Sequence, residues 1–219
     1  MGDGNWQNFT RQVLDLGRNL TTEQLTKFQK YYQLLLQWNN KINLVSRKDT
    51  ERLISFHFVD SLLVLNDIPT KAKVCDLGSG AGLPGIPLKI MRDDIILFLV
   101  ESIQKKAAFL RLCVEELNFK DVTVYAERAE NITDLKCDII LIRLLGKIKK
   151  IVPLCYHLLA PQGKIIFYKS KTAFTEVEEA KRVLTRFSLK SAIREIRLPK
   201  TDIIRRLVYL SRINKTVIR

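Results

Sequence analysis

A short apolar run carrying one acid, Val74-Cys75-Asp76-Leu77, gives way to Gly78-Ser79-Gly80-Ala81-Gly82-Leu83-Pro84-Gly85-Ile86-Pro87. That order predicts a strand, a tight turn and the start of a helix. Glycine accepts positive φ and lets a ligand approach bare backbone, while proline can occupy the opening turn of a helix without losing a needed donor. The first-turn N–H groups would then aim partial positive charge at an anion. The stretch reads as a seat for a small molecule with an anionic end.

Spacing narrows the molecule. A dinucleotide fingerprint requires glycine, one residue, glycine, two residues, glycine, and from Gly78 and Gly80 the third position falls on Leu83. The pattern present is instead acid-x-Gly-x-Gly-x-Gly, built on Asp76, Gly78, Gly80 and Gly82, and it resembles the cofactor loop of S-adenosylmethionine-dependent methyltransferases. The chemistry agrees: a nearby carboxylate favours the ammonium and sulfonium of that cofactor, and its carboxylate suits a helix N-terminus. The next apolar run, Ile95 to Val100, ends in Glu101, about 20 residues beyond the loop, where doubly wound folds place a ribose-binding acid. Taken singly, the loop is a tight connection and Glu101 a solvated acid. Together, at these separations, they make a site.

The rest of the chain must position that site. At 219 residues with 47% hydrophobic content, one domain with an appendage or two small domains are expected. No apolar run approaches the roughly 20 residues that cross a bilayer, and the polar start from Met1 to Asn8 lacks a signal-peptide pattern, so a cytosolic protein without membrane attachment is expected. Cys75, Cys113, Cys137 and Cys155 sit singly inside apolar runs, which argues for buried thiols against zinc or disulfides. His57 and His157 have no Gly-x-Ser-x-Gly elbow beside them, so nucleophilic hydrolysis is not indicated. The net charge of +14 points to a polyanionic partner, nucleic acid foremost.

From Asn5 to about Asn66 the pattern is helical. Thr21-Thr22-Glu23-Gln24 resembles a capping box, Leu25, Phe28, Tyr32, Leu35 and Leu36 follow at helical spacing, and a further helix is expected from Asp49 or Thr50 through Leu65. From Lys73 strands alternate with helices: Val122–Tyr125, Cys137–Ile142 and Lys164–Tyr168 read as strands, and Pro161-Gln162-Gly163 as a turn. Leu189–Leu198 and Ile203–Ile213 are too closely linked for a parallel crossover, so the last strand should run antiparallel. The expected fold is α/β, a doubly wound seven-stranded class I S-adenosylmethionine-dependent methyltransferase sheet over residues 71–219, with a helical extension over 1–70. In such sheets ligands lie at the carboxyl ends of the strands, so the site should gather residues just after Leu77, Val100, Tyr125 and Ile142.

These residues resemble one family over nearly the whole chain: the RsmG family, also called glucose-inhibited division protein B, bacterial methyltransferases acting on guanine N7 of small-subunit ribosomal RNA. Trp38-Asn39-Asn40-Lys41-Ile42-Asn43-Leu44 and His57-Phe58-Val59-Asp60-Ser61-Leu62 match its helical elements, and Leu83-Pro84-Gly85 within the glycine loop is the most specific piece. The resemblance implies that Gly78 and Leu83 line S-adenosylmethionine, that Glu101 holds the ribose hydroxyls, and that Ala129-Glu130 lies beside the adenine. Arg143 stands where the family carries Ser-Arg-Ala, but its neighbours are Ile142 and Leu144; Lys169 precedes Ser170 instead of glycine; Arg205-Arg206-Leu207 replaces Arg-His-Leu. Arg143, with Lys169, is the expected guanine-orienting group, and Arg143 also borders the cofactor. Lys147, Lys149, Lys150, Lys171, Arg205 and Arg206 are the expected RNA surface.

Guanine N7 carries a lone pair and no proton, so alignment of N7 with the methyl group, without a general base, is the expected mechanism. The expected partner is small-subunit ribosomal RNA or the 30S subunit, met by a monomer. Other readings are a noncatalytic RNA-binding or assembly protein that kept the loop, a methyltransferase of another acceptor, and, more remotely, an oxidoreductase.

Overall fold

The hydrophobic period changes from helical to alternating at Lys73, and there the sheet begins. A computed structural model describes residues 3–213; positions 1–2 and 214–219 of the two expected segments lie outside the described residues. The strands are β1 (Lys73–Leu77), β2 (Ile96–Val100), β3 (Val122–Tyr125), β4 (Cys137–Arg143), β5 (Leu159–Lys169), β6 (Leu189–Arg197) and β7 (Ile204–Arg212). Their order is β3-β2-β1-β4-β5-β7-β6, with β7 antiparallel to both neighbours. This is the expected methyltransferase arrangement, and the β6–β7 hairpin follows from the short link after Leu198.

Alternation along each central strand sends side chains to two apolar layers. In β4, Ile139 and Leu141 join one cluster with the N-terminal helices, while Ile140 and Ile142 join the other with α7 (Ile148–Cys155) and α8 (Ala173–Arg186). By the same period Asp76 at the end of β1 and Arg143 at the end of β4 turn toward the N-terminal helices. The first layer also holds α5 (Gly85–Met91) and α6 (Gln104–Glu116), so the N-terminal helices and this face of the sheet share one core.

Two long helices open the described chain, α1 (Asp3–Asp15) and α2 (Thr22–Asn39). The capping box is present: the Gln24 amide donates to Thr21 Oγ1 at 3.1 Å, and Gln24 Oε1 accepts from the Thr21 amide at 3.0 Å. Phe28, Tyr31 and Leu35 of α2 are fully buried, and Tyr31 stacks on Phe58 with centroids 5.4 Å apart. Each such burial contributes about 1.5–3 kcal/mol.

The expected single helix from Asp49 to Leu65 is broken into pieces: α3 (Arg47–Glu51), a π-helical turn (Leu53–Phe58), α4 (Val59–Ser61) and a 3₁₀ stretch (Leu62–Asp67). Every residue from Phe58 to Leu65 is buried, so this segment is a core element and not the one-faced amphipathic helix expected. The π turn, in which the His57 amide reaches back to the Arg52 carbonyl at 3.1 Å, places His57 inward.

A second difference lies at Pro161-Gln162-Gly163, which is inside β5. Cys137 faces Leu159 and Ile139 faces Lys164, so β5 carries the intervening residues as a bulge. Gly163 is required there, because a Cβ would stand 2.8 Å from the Cys137 carbonyl.

Candidate functional site

The carboxyl ends of β1, β2, β3 and β4 open onto a cleft of about 550 Å³. Its wall includes Gly78, Gly80, Leu83, Glu101, Ala129, Glu130 and Arg143 from the expected site. Gly80 has φ +55°, and a Cβ there would meet only the Gly78 carbonyl at 3.8 Å, so the loop leaves bare backbone beside the void. Glu101 is 6% exposed and held at both oxygens: Oε2 accepts the Gly80 amide at 2.9 Å and Oε1 the Ile103 amide at 2.8 Å.

Asp76 and Gly82 lie behind this wall. The Asp76 side chain is buried, and its Oδ2 accepts the Gly85 amide at 2.8 Å. The opening of α5, expected to receive the anionic end of a ligand, is therefore occupied by the protein's own carboxylate. Oδ1 of Asp76 has no partner among the described residues. Burial, aided by the Glu101 charge and opposed by the Gly85 amide and Arg143, raises the Asp76 pKa to about 7. Gly82 packs against Ile86 and Tyr31, and the Tyr31 hydroxyl donates to the Ala81 carbonyl at 2.6 Å, tying α2 to the loop.

Arg143 borders the cleft but is only 8% exposed, because side chains from the π turn and α4 enclose it. Its Nη1 donates to Asp60 Oδ2 at 3.0 Å and its Nη2 to His57 Nδ1 at 2.7 Å. His57 Nε2 in turn meets Asp49 Oδ1 at 3.1 Å. Burial and then the Arg143 charge depress the His57 pKa to about 4, outweighing the Asp49 and Asp60 carboxylates. A neutral imidazole satisfies both contacts, with Nδ1 accepting and Nε2–H donating. Asp60 also accepts from Arg205, at Nε 2.6 Å and Nη2 2.9 Å.

His57 and Asp60, matched in sequence only to the family's helical elements, both hold the arginine of the cleft. Their spacing of three was the only local signal, because Arg143 lies 83 positions beyond Asp60. His157 carried no signal at all. Its Nε2 lies 3.1 Å from the Ala129 carbonyl and 3.0 Å from that of Ile132, so it pins the turn on which Ala129 and Glu130 ride.

A family model described as rRNA small subunit methyltransferase G matches residues 24–202. The chain belongs to this family. A Geobacillus protein named ribosomal RNA small subunit methyltransferase G is 32% identical over 95% of this chain and 91% of its own length. A protein of the same name from Lachnoclostridium phytofermentans is 33% identical over 95% and 89%. In fold, the chain is similar to a SAM dependent methyltransferase from Aquifex aeolicus, with TM-score 0.56, 18% identity and coverage of 74% of this chain and 93% of that one.

S-adenosylmethionine is the cofactor of this rRNA small subunit methyltransferase G family member, and the cleft suits it. Bare backbone at Gly80 and a fixed carboxylate at Glu101 are what a ligand with an adenosyl group needs, and about 550 Å³ falls within the range of small-molecule sites. Of the flanks of Arg143, Ile142 is buried in the opposite layer, and Leu144, 86% exposed with φ +59°, lines the cleft.

The expected RNA residues fall into two groups. Lys150 and Lys171 are exposed. The others have acidic partners: Lys147 and Lys149 reach Glu179 at 3.2 and 2.8 Å, Arg205 is committed to Asp60, and Arg206 pairs with Glu195. Lys169 bonds Glu176 Oε2 and the Gly146 carbonyl, both at 2.7 Å, and lies outside the cleft wall. These contacts support the loop after Arg143. Among the described residues no helix is long and apolar enough to cross a membrane.

Proposed function

We propose that the protein transfers the methyl group of S-adenosylmethionine to N7 of a guanine in small-subunit ribosomal RNA. The observation that carries this reading is the pairing, in one cleft, of an amide-fixed Glu101 beside the glycine loop with an Arg143 guanidinium held by Asp60 and His57. Glu101 binds the ribose hydroxyls, Gly78, Gly80 and Leu83 form the floor, and Ala129 and Glu130 flank the adenine. When bound, the cofactor supplies an electrophilic methyl group. N7 supplies the lone pair, so no side chain has to remove a proton.

The chain's work is then orientation and exclusion of water. Arg143 has its two terminal nitrogens engaged by protein, so it acts as a rigid positive wall toward the guanine and does not grip a phosphate as a free arm would. Lys169 supports that wall through Gly146. Holding N7 in line with the methyl group contributes roughly 7–11 kcal/mol toward lowering the barrier.

The test is incubation with labelled cofactor and small subunits lacking their methylations, alongside naked RNA, followed by mapping of the labelled base. A single guanine labelled at N7 is expected. Cofactor binding without transfer to either acceptor would favour the noncatalytic assembly reading.

A further inference from the structure

Of the large apolar side chains exposed among the described residues, all but Leu14 and Ile213 stand around the carboxyl edge of the sheet. Ile103, Leu144, Leu145 and Leu154 border the cleft and are accounted for by it. Phe174 and Ile204 are not in the cleft wall. Phe174 opens α8 just past the end of β5 and is 57% exposed; Ile204 begins β7, which runs antiparallel, and so lies at the same edge.

The guanidinium of Arg206 lies 5.5 Å from the centre of the Phe174 ring. Glu195, opposite Arg206 on β6, holds its Nε. Lys169, opposite Arg206 on β5, reaches the Gly146 carbonyl at 2.7 Å, and the Lys169 carbonyl accepts from Arg205 at 3.1 Å. The ring thus rests on Arg206, whose β5 neighbour Lys169 contacts both supports of Arg143: the loop that follows it and the arginine that shares Asp60. Lys171 stands exposed three residues before Phe174. An exposed aromatic ring backed by a guanidinium that Glu195 holds in place, with Lys171 exposed nearby on a chain of net charge +14, matches a nucleobase of a polyanionic strand.

We propose that Phe174 and Arg206 form a stacking platform for an unpaired RNA base neighbouring the one that enters the cleft. The proposal rests on the RNA methyltransferase reading and adds where the strand is held. Stacking on one aromatic side chain is sequence-tolerant, so the platform supplies affinity and register, and the cleft supplies choice of base.

The experiment measures fluorescence anisotropy of the full chain with a labelled 16-nucleotide single-stranded RNA and with an abasic oligomer of the same backbone. Phe174→Ala should weaken RNA binding roughly tenfold while binding of the abasic oligomer and the salt dependence stay unchanged, since no phosphate contact is lost. Phe174→Trp should restore the RNA affinity. Equal affinity of parent and Phe174→Ala for RNA, equal loss on both oligomers, or failure of Trp to rescue would each overturn the platform. Methyl transfer by the parent chain to small subunits is measured in parallel. Transfer by a parent whose RNA affinity ignores Phe174 discards the platform alone; a Phe174-dependent affinity without any transfer keeps the platform and discards the enzymatic reading.

Discussion

Asp60, without solvent exposure, accepts a hydrogen bond at 3.0 Å from Nη1 of Arg143, a residue 83 positions further along the chain. The same carboxylate holds Arg205 of β7, so one negative charge fixes two guanidiniums at the carboxyl edge. Removing one partner of such a buried set strands the others. Asp60→Ala should destabilise the protein by about 3–5 kcal/mol, and Asp60→Asn, which keeps the shape and one acceptor, by less. Urea denaturation of the two variants checks the order.

His57 and Asp76 should give opposite pH dependences. His57 has a folded pKa of about 4, below its ordinary 6.5, so the stability it contributes is present above pH 6.5 and is lost as pH falls toward 4. Asp76 is raised from 3.8 to about 7, so its contribution is full below pH 3.8 and is lost as pH rises through 7. Between pH 4.5 and 6.5 the two slopes oppose each other, and the parent should be nearly flat. His57→Gln should lose stability with rising pH in that window, and Asp76→Asn should gain it, each by roughly 1 kcal/mol per pH unit. Chemical denaturation at several pH values reads both; parallel curves for the two variants would refute the assignment.

Glu101→Gln places an amide nitrogen where one oxygen now accepts a backbone N–H. Because the side chain is fixed from both sides, the substitution breaks one of its contacts with Gly80 or Ile103 as well as the contact proposed to ribose. Calorimetry should show S-adenosylmethionine bound about tenfold to a hundredfold more weakly, with the fold intact by circular dichroism. Asp60→Asn should affect turnover more than this affinity, which separates the two roles.

Tyr31→Phe removes a hydroxyl that links α2 to the glycine loop, leaving the Ala81 carbonyl without that donor. A loss of about 1–3 kcal/mol is expected. Cofactor affinity should fall with it, and a loss of stability with unchanged affinity would show that the loop keeps its shape unaided.

The central sheet was legible because strand length, alternation and the Gly78–Gly85 loop all depend on local residue types. The register Leu77↔Val100 and Leu77↔Ile142 brings together the strand ends at which the cleft was expected. What local pattern cannot carry is partnership across the chain. Nothing near Asp76 in sequence announces that the Gly85 amide will take its Oδ2. Arg205 and Arg206 looked like free cations because Asp60 and Glu195 lie far away in sequence or on another strand. The bulge at Gly163 looked like a turn for a related reason: proline and glycine mark both, and only the β4 register tells them apart.

Glu101 surrendered its rotamer freedom when the chain folded, so a ligand arriving at it need not supply that entropy again. Each of its oxygens already has one lone pair engaged by an amide and one to spare. Two acceptors with matched vacancies, side by side in a plane, fit a vicinal diol better than a lone hydroxyl. If that diol is the ribose proposed for this cleft, deoxygenating either carbon of the sugar should leave one carboxylate oxygen without its partner.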